Sequence, residues 1–297
     1  MGICIWNDNN NTCIGLYDYV NTTRDATVKF TLQGYNYMGG EHTMSAYNYT
    51  TKKLSFVAIK VGTTERSLFT ISTETWTQLN ALVIPDKNTW EGLQYDQTDR
   101  ADSLLNAGNN GQGTIFLTRL NPMVTSFSIF GSIVGSLLSA AYDTKSFKYH
   151  VAYKHGEDVF INIYNMAANP VALESSQKYS FTNIASRFSY ASGPNHMYHH
   201  PKYNSIMGIV SLRDSHLPNP HNSVLTNITA ANKEIRITGM NSDPRHVVTA
   251  CVPDQTGAGY IYTITKFSDK LYCNTFSPYN NTCTKNVLIN TPILALF

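Results

Sequence analysis

Histidines stand beside charged residues in Glu41-His42 and in Arg245-His246, and a further group clusters in Asn195-His196-Met197-Tyr198-His199-His200. An imidazole titrates near neutrality, so it can relay protons, ligate a metal or hydrogen-bond a neutral ligand. Zinc would need three or four such groups converging within bonding reach, and His42, His196 and His246 are the candidates. No short-range pattern of the His-Glu-x-x-His kind supports such a site, so neither metal nor cofactor is expected. With Trp90 as an aromatic face, the set Glu41, His42, Trp90, His196, Arg245 and His246 suits a polar ligand. Rings would stack on it, and the charged groups would fix its hydroxyls or a carboxylate.

Catalysis asks for more than this set provides. A glycosidase needs two carboxylates at one site. Glu41 and Glu91 are available, but strand alternation turns Glu91 away from Trp90. No Gly-x-Ser-x-Gly elbow occurs. Asp96 and Asp143 sit at a recurring position and read as turn formers. No catalytic residue is assigned, and the balance leans against an enzyme. The alternative is a hydrolase or lyase built around His42, His246 and Glu41.

These residues can act together only if the chain brings them together, and a repeat indicates how. Gly40 is followed after five residues by Ala46-Tyr47-Asn48, and Gly135 in the same way by Ala141-Tyr142-Asp143. Weaker copies fall at Gln94-Tyr95-Asp96, Met197-Tyr198-His199 and Ala250-Cys251-Val252, with Ala295-Leu296-Phe297 after them. From residue 46 the anchors are 48, 47, 56, 53 and 45 residues apart. Between anchors lie short runs rich in β-branched and aromatic residues, separated by turn residues, as in HTMSAYN, LSFVAIK, SLFTIS and TQLNALVI. Residues 1–33 supply three such runs, and TPILALF (291–297) supplies the missing one. No helical periodicity is sustained over a dozen residues.

Six units of four short strands resemble β-propeller repeat proteins. The resemblance covers nearly the whole chain and implies an all-β, six-bladed, single domain over 1–297. Its blades would lie at 1–34 plus 291–297, 41–85, 90–131, 135–180, 190–240 and 245–290. Three N-terminal strands and one C-terminal strand would close the ring. The repeat phrases of named propeller families are absent. In size and unit count the chain is similar to six-bladed fucose-binding lectins, a likeness of shape and not of motif. The architecture implies ligands at the channel mouth or between blades, and the loop entering each inner strand faces one mouth. There the equivalent positions hold Glu41-His42, Trp90 and Arg245-His246, with His196 on the fifth blade.

Composition points the same way. Charged residues make up 14% of the chain, against roughly 25% in an average soluble domain. Nineteen tyrosines and three tryptophans accompany an uncharged polar surface, which suits a glycan or a protein surface, with self-assembly as the structural alternative. Net charge is +2, and no basic run exceeds Lys52-Lys53, which argues against nucleic acid. MGICIWNDNN lacks the charged start and apolar run of a leader peptide. The apolar stretch 126–142 is short and Ser-rich, so two buried strands joined at Gly131 are expected in place of a membrane span. Of five cysteines, Cys4 with Cys13 and Cys273 with Cys283 flank two expected hairpins. Cross-hairpin disulfides there would favour an extracellular or surface setting.

Overall fold

The computed structural model describes residues 1–39, 44–84, 89–98, 102–121, 126–179, 188–190, 195–214, 221–227, 235–236, 247–267, 269–277 and 282–297. Among the described residues no helix is long and apolar enough to cross a membrane. The first strands are β1 (Gly2–Asp8), β2 (Asn11–Tyr17) and β3 (Thr27–Gln33). A second sheet holds β4 (Tyr35–Tyr37), β5 (Ser45–Asn48), β6 (Lys53–Lys60), β7 (Arg66–Ser72) and β8 (Thr77–Ile84). A third holds β9 (Gln94–Tyr95), β10 (Leu104–Asn109), β11 (Thr114–Asn121) and β12 (Ser126–Val134), and a fourth β13 (Ser136–Asp143), β14 (Lys148–His155), β15 (Asp158–Asn165) and β16 (Ala172–Tyr179). The fifth holds β17 (Phe188–Tyr190), β18 (Asn195–His200), β19 (Ser205–Asp214), β20 (His221–Asn227) and β21 (Ile235–Arg236). The sixth holds β22 (Val247–Pro253), β23 (Ile261–Phe267), β24 (Lys270–Ser277) and β25 (Thr282–Ile289).

Three sheets are thus antiparallel meanders of consecutive strands, and in the second and fifth two short strands share one edge, β4 and β5 on β6, β17 and β18 on β19. The remaining sheet is composite: β26 (Ile293–Leu296) joins β1, β2 and β3 in the order β26-β1-β2-β3. Cys4 pairs with Leu296 and Ile5 with Ala295, and Ile3 and Phe297 exchange both backbone hydrogen bonds, at 3.0 and 2.8 Å.

The chain divides into two compact units. One comprises Met1–Trp6, Ile14–Val28 and Ser180–Phe297, the other Asn7–Cys13 and Lys29–Tyr179. In the second, the strands beside the inner one are buried on both faces: β6 and β14 read almost uninterrupted apolar or small-polar burial. The outermost strands β8, β12 and β16 are largely exposed. The core joining the third and fourth sheets is built on Leu105, Ile115, Leu117, Tyr149, Val151 and Tyr164. At about 1.5–3 kcal/mol for each large side chain removed from water, such layers dominate the stability of the unit. In the first unit Met207, Ile209, Val248, Ile261 and Phe276 form the matching core.

One turn device recurs. The side-chain oxygen of Asn48 accepts from the backbone N–H groups of Thr50 and Thr51, Asp96 from Thr98, Asp143 from Lys145 and Ser146, and Asp254 from Thr256. A short Asx side chain can close a hairpin in this way without glycine, so the recurring Asp or Asn is a turn former, as its position suggests. Three of these hairpins end on a residue in the left-handed region, namely Lys52, Asp102 and Phe147, a conformation suited to leading a turn into a strand.

Three expectations are corrected. The stretch 126–142 breaks at Gly135, not Gly131, because β12 runs through Gly131 and ends at Val134. Gly135 has φ 149°, and a Cβ there would lie 2.5 Å from the Lys154 carbonyl oxygen. Nor are both strands buried, since β12 is an edge strand with Phe127 67% exposed. The disulfides do not form. Cys4 and Cys13 are thiols. The two-residue turn Asn9-Asn10 sets Cys4 opposite Gly15, whose carbonyl accepts from the Cys4 thiol at 3.7 Å, and Cys13 falls opposite Trp6. A diagonal pair of that kind is too widely spaced for a disulfide. On β24 and β25, Cys273 pairs with Val287 and Cys283 with Phe276, an offset of about 10 Å along the strand.

Candidate functional site

Of the six residues expected at a channel mouth, Glu41, His42, Arg245 and His246 lie outside the described residues. Trp90 belongs to the second unit and His196 to the first. Trp90 is half-buried in a segment laid along the end of β10: Thr89 N–H donates to the Asn109 carbonyl and Ala107 N–H to the Glu91 carbonyl, each at 2.9 Å. That approach is close. A Cβ on Gly108 would lie 2.2 Å from the Thr89 carbonyl oxygen, so the glycine admits the segment that presents Trp90. Glu91 is buried while Trp90 is half-exposed, as alternation implies.

In the first unit the strand of histidines departs from simple alternation. The register of β18 against β19 shifts between Asn195 and Tyr198, and His196 takes φ 50°. This bulge breaks the pattern that would set His196 and His200 on one face. His196 Nε2 lies 3.2 Å from the Val248 carbonyl oxygen, and His199 Nε2 lies 3.2 Å from Asn204 Oδ1. His200 is fully buried, with the Tyr203 ring 4.6 Å and the Tyr198 ring 6.4 Å from its own. Burial pulls the His200 imidazole below its ordinary pKa, outweighing the backbone of Tyr260 and Gly259 and the charge of Asp254. Asp254 is itself buried, which raises its carboxyl. Hydrogen bonds from Thr256, Ala258 and Gly259 outweigh that and hold it below the usual range. Burial pushes the Cys251 thiol far up, against a smaller lowering by the Tyr198 hydroxyl. The side chains here are thus a neutral imidazole, a protonated thiol and an ionised carboxylate spent on its own loop.

In the second unit the buried aspartates are spent likewise. Asp102 Oδ1 accepts from Asn48 Nδ2 at 2.9 Å and from the Thr51 hydroxyl at 3.0 Å, and Oδ2 pairs with Lys53 Nζ at 2.5 Å. Asp96 pairs with Arg119 at 2.5 Å and accepts from the Tyr142 hydroxyl at 3.2 Å. Tyr149 donates to the Gly92 carbonyl at 2.7 Å. Among the described residues no group of three or more His, Cys, Asp and Glu side chains is placed to hold a metal.

Sequence reasoning missed one surface feature. Tyr47 and Tyr49 meet edge to face, with centroids 4.8 Å apart at 79°. The Tyr47 hydroxyl lies 3.1 Å from Thr73 Oγ1, and Thr73 is tied to the Lys52 carbonyl through both N–H (2.8 Å) and hydroxyl (3.0 Å). The signal was present in the sequence: Tyr49 follows the Tyr47-Asn48 anchor, where no other copy places an aromatic residue.

No family model matches this chain, and no curated protein matches it. Solved structures do. A periplasmic gluconolactonase from Pseudomonas aeruginosa is similar at TM-score 0.56 and 10% identity, over 97% of this chain and 79% of that one. A Lactobacillus plantarum protein is similar at TM-score 0.54 and 8% identity, over 100% and 99%. A proposed 6-phosphogluconolactonase from Bacteroides fragilis is similar at TM-score 0.52 and 12% identity, over 99% and 82%. At such identities the likeness concerns the fold alone. The fold is an all-β propeller.

Proposed function

We propose that the protein is a recognition propeller without catalytic activity, binding carbohydrate through the loops that enter its inner strands. In this reading the composite sheet counts as a sixth blade, 1–297 is one domain, and Glu41, His42, Trp90, His196, Arg245 and His246 contact the ligand. The observation that carries it is how three buried aspartates are used. Asp96, Asp102 and Asp254 each give their oxygens to turn backbone, to a cation or to a neighbouring hydroxyl. Carboxylates committed to holding turns and cations in this way are poorly placed to take a substrate proton as general bases. The buried Cys251 thiol is likewise held protonated, the unreactive form. Trp90, half-exposed on a segment braced at both sides, offers a stacking face whose position is set before any ligand arrives.

A glycan array probed with the wild type, Trp90→Ala and His196→Ala tests this. Array signals that drop in both variants, with folding intact, are the expected result. Turnover of lactone or glycoside substrates by the wild type, abolished in His42→Ala and His246→Ala, would establish the hydrolase instead.

A further inference from the structure

We infer that the protein self-associates through β12, two copies joining edge to edge as an antiparallel pair centred on Ser128. β12 is the outermost strand of the third sheet, so alternate backbone N–H and C=O groups along it face away from β11. The inference concerns the rim of that sheet and does not rest on the glycan reading, since Trp90 lies on a segment beside β10.

Three observations converge on it. The first is that the devices which normally close such an edge are missing. Edge strands are commonly blunted by charge or by proline. Outermost strand β3 carries Lys29, and β16 carries Glu174 and Lys178, whereas SFSIFGSIV of β12 holds neither a charge nor a proline. The second is apolar exposure in regular register. Ser126 to Ile129 pair residue for residue with β11, so Phe127 and Ile129 share one face, and they are 67% and 60% exposed. The register slips at Phe130, whose ring instead packs edge to face on Tyr164 with centroids 5.9 Å apart. β8 also lacks charge, but its register slips at Leu79, which puts exposed Leu79 out of step with exposed Val83.

The third observation is self-complementarity. About Ser128, an antiparallel second copy sets Phe127 opposite Ile129, Ile129 opposite Phe127 and Ser128 opposite its own counterpart. Large apolar groups then meet large apolar groups, a hydroxyl meets a hydroxyl, and no charge is brought against its like. A two-fold interface requires this kind of pattern. The open edge is short. The Val134 carbonyl oxygen lies 3.2 Å from His155 Nδ1, and the slip at Phe130 bends the strand, which confines the pairing to residues 126–130. Phe127, Ile129 and that length of backbone would cover about 400–500 Å² on each copy, the range of weak and transient contacts. The dimer is therefore reversible and forms where the local concentration is high.

The test is sedimentation equilibrium of the full chain over a concentration series. A reversible monomer–dimer equilibrium is expected, half-complete at about 100 µM. Phe127→Lys and Ile129→Glu alter exposed positions, and each should weaken association at least about tenfold while thermal melts stay as in the wild type. Combined in one chain, they set the new ammonium opposite the new carboxylate of the other copy. The double variant should thus regain part of the association and lose it again in high salt. On oxidation with diamide, Ser128→Cys should give a disulfide-linked dimer. Ser132→Cys, about 25 Å from its counterpart in this register, should not. A wild type that stays monomeric at its highest soluble concentration overturns the inference, as does a dimer that both single variants form as readily as the wild type. Growth beyond the dimer that stops in Val83→Lys would mean that β12 adds to β8 of the next copy, which sinks the two-fold pairing. Binding of a monomeric wild type to phosphatidylcholine vesicles, lost in Phe127→Lys, would make the patch a lipid contact instead.

Discussion

Asn48 donates its side-chain amide to Asp102 across 2.9 Å, and this one bond joins the inner-strand turn of the second sheet to that of the third. Its two partners are 54 residues apart, both are buried, and Asn48 uses its other side-chain atom to close its own turn. Asp102 also holds Thr51 and Lys53, so one carboxylate fastens three groups of the neighbouring sheet.

Removing that carboxylate should therefore be costly. Asp102→Ala leaves the Asn48 amide and the Lys53 ammonium without their acceptor in a mostly buried place, and is expected to destabilise by about 1–3 kcal/mol. Asp102→Asn keeps the acceptor for Asn48 and should lose less. Urea denaturation midpoints of the three proteins, compared at neutral pH, decide it.

Acidification should loosen the first unit through His200. Its folded pKa is lowered by burial, so below about 6.5 the unfolded chain binds a proton that the folded one resists. Stability is thus highest above that pH and falls as pH drops toward the folded pKa. His200→Phe should flatten this slope between about pH 7 and 5. A second loss, from Asp254, belongs lower. Its carboxyl is held below the usual range, so its contribution persists above about 3.9 and is lost as pH falls through the folded value. Thermal melts across a pH series separate the two; a wild type as flat as His200→Phe refutes the first.

Gly108→Ala tests how Trp90 is presented. The added methyl would strike the backbone carbonyl of Thr89, and a backbone atom yields less readily than a side chain. A loss of about 1–3 kcal/mol is expected, with glycan signals that depend on Trp90 falling together with it.

The thiols should all be reduced and slow to react. Burial pushes Cys4 up to about 12, against a smaller lowering by backbone hydrogen bonding at Gly15, and raises Cys13 and Cys251 as well. Iodoacetamide at pH 8 is expected to leave these three unmodified in the native protein. After unfolding in urea without reductant they should label fully, as mass spectrometry of the peptides will record.

The repeat in Ala141-Tyr142-Asp143 was legible because inner strands must be small and apolar and their hairpins must close, and both needs fall on adjacent residues. For the same reason the roles of Asp96 and Asp143 in turns were readable. The pairing of TPILALF with the N-terminal strands could also be anticipated, since three strands of a four-strand unit leave an open edge. What could not be read depends on contacts between distant residues. Nothing local to Asp102 shows that it serves Asn48 and Lys53. The bulge at His196 comes from how β18 meets β19, and alternation alone could not foresee it. The cysteine pairs looked bridgeable on spacing, yet register decides, and Cys273 faces Val287.

The pairing of β26 with β1 has a consequence for biosynthesis. While the chain is being made, β1 precedes its partner by more than 280 residues. Until then Ile3, Ile5 and their neighbours present an unsatisfied, apolar strand edge that any extended peptide could occupy. The nascent protein is therefore open to capture by chaperones or by other copies of itself from the synthesis of β1 until that of β26. That exposure ends only when Phe297 reaches Ile3 and the late strand displaces whatever has been guarding the early one.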